Sequence, residues 1–183
     1  MKDYIILSNK KKIVFLDRDG VINIDKHYLY KIEEFEFTDN LFEACKYFIS
    51  LNYEIIVITN QSGIGRKYFS EDDFKKLTAW MLNEFKKNGI KILDVFYCPH
   101  TPNENCSCRK PKPGMILQAN DKHNIDFENS WLIGDKISDI NAGINAGIKN
   151  TILITSEYLK KTDEINTQHI IKNIIETKNI IKN

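Results

Sequence analysis

IVFLDRDGVIN, residues 13–23, decides the fold. Its first four residues are apolar and partly β-branched, which marks a strand buried on both faces of a parallel sheet. The character changes within one step to Asp17-Arg18-Asp19-Gly20. Extended backbone puts Asp17 and Asp19 on the same side, and Gly20 permits a sharp turn directly after them. A predicted strand over 13–17 therefore delivers two carboxylates to its own carboxyl end.

The rest of the chain repeats the same plan. Further apolar runs predict strands over 54–59, 92–98, 131–135 and 151–155. Leu41, Cys45, Phe48 and Ile49 recur at helical spacing, as do Phe74, Leu77, Met81 and Phe85. Ser70 followed by Glu71, Asp72 and Asp73 predicts an N-cap with acids at the positive end of the helix dipole. The polar stretch 122–129 reads as a linking loop, and the tail from 165 as a short edge strand and a final helix. Strand–helix alternation predicts an α/β fold with an open parallel sheet, and residues 1–183 are expected to form a single domain. In such sheets ligands sit beyond the carboxyl ends of the strands. Thr59-Asn60-Gln61-Ser62-Gly63, Cys98 and Gly134-Asp135-Lys136 all fall there, as does the first acidic pair.

Composition excludes several functions. The 26 basic and 25 acidic residues leave a formal charge of +1, so no whole-chain field attracts nucleic acid or an anionic membrane. The start, MKDYIILSNKKK, has too short an apolar patch for a signal peptide, and no run reaches membrane-spanning length. A cytoplasmic protein is expected, and clustered cysteines in a reducing compartment are more often metal ligands than disulfides.

Two metal sites follow. Paired carboxylates at a buried strand end repel unless a cation or proton lies between them. Asp135, arriving from another strand, completes an oxygen set suited to magnesium. A carboxylate beside that ion can attack phosphorus while a second carboxyl carries protons. Asp139, one turn later, is expected to neighbour the ion rather than bind it. Cys98, His100, Cys106 and Cys108 supply three thiolates and an imidazole, a closed tetrahedral set for structural zinc bracing the 98–113 loop. Cys45 reads as core, and His27, His123 and His169 as surface or loop residues.

FLDRDGVIN, VITNQSG, RKPKPG and IGDKISD, in this order, resemble the four motifs of the haloacid-dehalogenase-like (HAD) phosphatases. TNQSGIGR and the Cys-x-His…Cys-x-Cys loop narrow the likeness to the D-glycero-D-manno-heptose 1,7-bisphosphate phosphatases. The resemblance implies a three-layer, Rossmann-like, capless HAD fold with a zinc-braced loop, acting in nucleotide-activated heptose synthesis for surface polysaccharide. It implies Asp17 as nucleophile and Asp19 as general acid/base. Mg²⁺ would be held by Asp17, the Asp19 carbonyl and Asp135. Thr59 and Lys110 would hold the transferred phosphoryl group. Asp25, Lys26, His27, Tyr28, Asn60, Gln61, Ser62, Arg109 and Lys136 would face a small sugar bisphosphate. A monomer is expected, with no nucleic-acid or membrane partner.

The sequence departs from that family at three places. His27 stands where glycine is usual, and Gly65 and Lys67 stand where alanine and glycine are frequent. The short zinc loop also resembles the histidinol-phosphate phosphatases, although these tend to lack the serine and arginine of TNQSGIGR. Histidinol phosphate or another sugar phosphate is thus the alternative substrate. A zinc-ribbon-like nucleic-acid module is the alternative from another class, disfavoured by the near-neutral charge and the intact acidic triad.

Overall fold

Strand β1 (Ile13–Leu16) is buried along its whole length, as a central strand covered on both faces must be. It pairs in parallel with β2 (Glu54–Asn60) on one side and with β4 (Trp131–Gly134) on the other. Strand β3 (Ile92–Cys98) extends the sheet beyond β2, and β5 (Asn150–Ile154) and β6 (His169–Ile171) extend it beyond β4. The order is β3-β2-β1-β4-β5-β6, with every pairing parallel. This is a computed structural model, and it describes residues 10–156, 164 and 166–182. The apolar patch at 4–7 and the start of the predicted tail at 165 lie outside the described residues.

Alternation along β1 splits the core into two layers. Val14 and Leu16 join helix α1 (Leu41–Ser50), together with Met81 and Phe85 from the later helix of residues 71–87. Ile13 and Phe15 face Met115, Ile116 and Ala119 of a helix over 114–123, and Ala142 of one over 137–146. The expected three-layer α/β architecture is therefore present. Between them, α2 (Ser62–Gly65) is one turn long, α3 is Glu71–Lys87, α4 is Gly114–His123 and α5 is Ile137–Ala146.

Several boundaries differ from expectation, β2 running one residue further and β5 starting and ending one residue earlier. Strands β1 and β4 stop one residue before their aspartates, because Asp17 and Asp135 already turn into loops. The stretch 122–129 opens inside α4 and becomes a loop only after His123. The tail forms the edge strand β6 and a final helix as expected, the helix being of the 3-10 type, Ile174–Asn179. His123 and His169 also leave their expected places. His123 Nε2 lies 2.7 Å from Asp94 Oδ2 at the end of α4, and His169 belongs to β6 with its ring 5.7 Å from Trp131. Cys45 is core, as expected, and burial pushes its thiol up to about 12.

The N-cap of α3 is fully formed. Asp73 N–H donates to Ser70 Oγ at 3.1 Å, and Ser70 N–H donates back to Asp73 Oδ2 at 3.0 Å. Ser70→Ala is expected to lower stability by about 1 kcal/mol, read as a fall in the urea midpoint at unchanged slope.

Candidate active site

The acidic pocket is built where β1, β2 and β4 end side by side. Asp17 N–H donates to the Ile133 carbonyl at 3.0 Å, so the residue after β1 still follows the edge of β4. Gly20 has φ +90°, and a Cβ there would collide with the Asp135 carboxylate. Only glycine lets the loop after Asp19 close over Asp135.

Asp17, Asp135 and Asp139 each bring a carboxylate oxygen within 4.8 Å of the others, and all three are buried. Lys110 enters this cluster from the far loop. Its Nζ lies 2.8 Å from Asp17 Oδ1 and 2.7 Å from Asp139 Oδ1, and donates to the Ile58 carbonyl at 3.0 Å. Burial works against the Lys110 charge, but Asp139 and Asp17 outweigh it and raise its pKa. Burial pushes Asp17 up to about 6 although Lys110 pulls it down. Burial, reinforced by the Asp17 charge, pushes Asp135 up to about 8.

Both Asp135 oxygens are buried with no hydrogen-bond partner. Orphaned carboxylate oxygens next to a second buried aspartate are the donor set a hard divalent cation takes. The residues present therefore fit a magnesium ion.

A pocket of 340 Å³ opens above the cluster. Asp17, Asp19, Thr59 and Lys110 form its floor, with Asn60, Gln61 and Ser62 along one wall. Asp25, His27, Tyr28, Arg109 and Lys136 make the rest of the rim. The structure thus brings together the expected residues from five separate stretches, with one exception. Lys26 turns away: its Nζ donates to the Glu34 carbonyl at 3.0 Å and pairs with Glu36 at 3.2 Å. The backbone explains the turn, because His27 and Tyr28 both take left-handed φ, +52° and +51°. Lys67, another departure from the resembled family's glycine, is likewise left-handed at φ +61°. Both non-glycine residues keep the backbone that glycine would adopt most easily.

Side chains join the walls. Asn60 Oδ1 accepts from Lys110 N–H at 3.1 Å while its Nδ2 donates to the Lys110 carbonyl at 3.2 Å. Lys136 Nζ pairs with Asp25 at 2.9 Å, and Asp25, Asp135 and Asp17 raise its pKa against burial, Asp135 most strongly. Ser138 and Gly63 also line the pocket. Nothing in their local sequence distinguishes them; the α5 and α2 termini carry them there. Asp139 also accepts from Lys136 N–H at 3.0 Å, so it both opens α5 and holds Lys110.

Cys98, His100, Cys106 and Cys108 converge as expected. Five of the six S···S and S···N separations run from 3.1 to 3.5 Å, and all lie within 4.8 Å. A tetrahedron with zinc–sulfur bonds has edges of roughly 3.8 Å, so the four ligand atoms are nearly in place for that ion.

Comparison with known proteins identifies the family. A HAD-hydrolase-like family model matches residues 107–177. A D-glycero-alpha-D-manno-heptose-1,7-bisphosphate 7-phosphatase of Campylobacter jejuni is 52% identical over 94% of this chain and 97% of its own length. The chain belongs to the heptose-1,7-bisphosphate 7-phosphatase family. Another member, the beta-anomer enzyme of Helicobacter pylori, is 49% identical over 83% of this chain and 88% of its own. The crystal structure of the D,D-heptose 1,7-bisphosphate phosphatase from B. bronchiseptica, complexed with magnesium and phosphate, superposes with a TM-score of 0.82. It is 25% identical and covers 92% of this chain and 98% of that one. The fold is thus the HAD type. No described helix is long and apolar enough to cross a membrane.

In the metal-free folded chain, Asp17 and Asp135 keep protons that an unfolded carboxyl loses near pH 4. Their contribution to stability therefore falls as pH rises from about 4 toward about 8. A divalent cation displaces those protons, so it binds and stabilises more strongly at the higher pH. The rise in melting temperature on adding Mg²⁺ is expected to be larger at pH 8 than at pH 6. Equal increments in a calorimeter would contradict the raised carboxyls.

Proposed function

We propose that this protein is a phosphatase that removes the 7-phosphate of D-glycero-D-manno-heptose 1,7-bisphosphate through an aspartyl-phosphate. The observation that carries the reading is the floor of the pocket: two aspartates at one strand end, the first paired with a buried lysine, beneath a rim bearing Arg109 and Lys136. A substrate with a phosphate at each end needs cations at both ends of its site.

Asp17 is the nucleophile: its carboxylate oxygen attacks phosphorus as the ester P–O bond breaks. Asp19 gives its proton to the leaving sugar oxygen, then takes one from the water that hydrolyses the acyl-phosphate. Lys110 neutralises charge on the transferred group throughout. Thr59 Oγ1 already accepts from Gln61 Nε2 at 2.8 Å, which leaves its own proton for a phosphoryl oxygen. Arg109, whose Nη1 reaches the His100 carbonyl at 3.4 Å, offers its fork to the distal phosphate. Asp25, His27, Tyr28, Ser62 and Lys136 meet the sugar, and Asn60 fixes the Lys110 backbone. Magnesium, held by Asp17 and Asp135, would supply Lewis-acid charge to the phosphoryl oxygens. Zinc on the four Cys/His ligands would supply rigidity to residues 98–108, immediately before Arg109 and Lys110.

The test is a substrate panel with Mg²⁺: both anomers of the bisphosphate, their monophosphates and histidinol phosphate. The bisphosphate is expected to give the highest kcat/KM, and Asp17→Asn to abolish turnover on every substrate while the protein still binds them. A preference for histidinol phosphate would overturn the substrate assignment.

Zinc should be found in the freshly purified protein at one ion per chain by elemental analysis. Harsh chelation should remove it and make the 98–113 loop sensitive to protease, whereas mild EDTA should abolish activity reversibly with Mg²⁺. Protein grown with zinc and purified without any would exclude the structural site.

A further inference from the structure

Asp19 and Asp17 differ in their partners. Asp17 faces Lys110, but Asp19 faces a cradle that lies largely outside the pocket. The Arg18 side chain is buried, and its Nη2 donates to both Asp19 oxygens at 2.9 Å and to the Leu29 carbonyl at 3.0 Å. Arg18 Nε adds a longer bond to Oδ1 at 3.3 Å, and Phe74 closes one face of the guanidinium, 5.9 Å from its ring centroid. Asn23, fully buried, donates from Nδ2 to Asp19 Oδ1 at 3.0 Å. Gln61 donates from one Nε2 to Asp19 Oδ2 at 3.0 Å and to Thr59 Oγ1 at 2.8 Å.

Each Asp19 oxygen therefore receives Arg18 and one amide. Burying a guanidinium is costly, and here Nη1 is left buried without a partner. Packing alone would be served better by an apolar residue. A planar fork aimed at one carboxyl, locked by two amides from other segments, instead removes that carboxyl's rotational freedom.

We propose that Arg18, Asn23 and Gln61 are positioning residues for proton transfer, fixing the Asp19 carboxyl in one rotamer and, through Gln61, in register with the Thr59 hydroxyl. This rests on the phosphatase reading above. In the first step the Asp19 O–H proton passes to the ester oxygen as that oxygen leaves phosphorus and Asp17 bonds to it. In the second, Asp19 accepts a proton from water as the water oxygen bonds to phosphorus, the Asp17–phosphorus bond breaks and inorganic phosphate departs. Both transfers need the same oxygen at the same place, and a swinging carboxyl would meet neither reliably. The closing contacts also give Gln61 a different part from the substrate contact expected of it: its amide protons are spent on Asp19 and Thr59.

The experiment compares kcat/KM for two esters in Arg18→Lys and Asn23→Leu. A sugar phosphate leaves as an alkoxide and needs the proton; p-nitrophenyl phosphate leaves as a stabilised phenolate and hardly does. Since general acid–base catalysis contributes about 10²–10⁴-fold, misaligning Asp19 should cost at least about tenfold on the sugar ester and under about threefold on the nitrophenyl ester. Arg18→Lys keeps the charge but loses the fork, and Asn23→Leu keeps Arg18 and lines no part of the pocket. If one variant fails to fold by circular dichroism, the other carries the same expectation. Equal losses on both esters, or no loss on either, in a folded variant would overturn the proposal and leave the phosphatase reading intact. Wild-type protein inert toward both esters would overturn that reading itself, and the proposal with it.

Discussion

Everything at the pocket depends on one buried ammonium. Two carboxylates about 4 Å apart repel by about 4 kcal/mol at an effective dielectric of 20, whereas a contact pair of opposite charges near 2.8 Å gains about 6. Lys110, in contact with Asp17 and Asp139 at once, turns a repulsive cluster into one that can be buried. It leaves Asp135 out of contact, and both oxygens of that carboxylate remain without a hydrogen-bond partner. A cation beside Asp135 would complete the neutralisation that Lys110 begins. Much of the surrounding architecture holds Lys110 in place: the Asn60 clasp on its backbone, the Ile58 carbonyl on its ammonium, and the Cys/His cluster that ends two residues before it.

The sheet and the clustered aspartates were legible because a parallel sheet aligns its strand ends. Every strand ends on the same edge, so a polar residue just after an apolar run is placed there by topology rather than by distant contacts. Asp17, Thr59, Cys98 and Asp135 were readable on that ground. The Cys/His cluster was readable because its spacing is local. The roles of Asp25 to Tyr28, Arg109 and Lys136 came from resemblance, not from any pattern in the residues.

What stayed hidden depends on partners far away in sequence. Lys26 looks like its pocket-lining neighbours until two left-handed residues and the nearby Glu36 turn it outward. Arg18 sits inside the most readable motif, yet nothing local says that its side chain is buried under Phe74. His123 finds Asp94 only because α4 lies against β3. Helix α4 itself begins at glycine and carries Asn and Asp, so its apolar face is short and its end ran into the predicted loop.

Synthesis order adds a constraint of another kind. Among the described strands β1 is made first, and its second neighbour, β4, arrives about a hundred residues later; Ile13 N–H meets the Ser130 hydroxyl across a separation of 117. A chain leaving the ribosome therefore carries β1 with one flank open until β4 has been made. Until Asp135 and Asp139 have been added, none of the electrostatic cost of gathering the three carboxylates arises. Chains cut short before β4 lack Asp135 and Asp139, and with them the acidic pocket into which Asp17 is gathered.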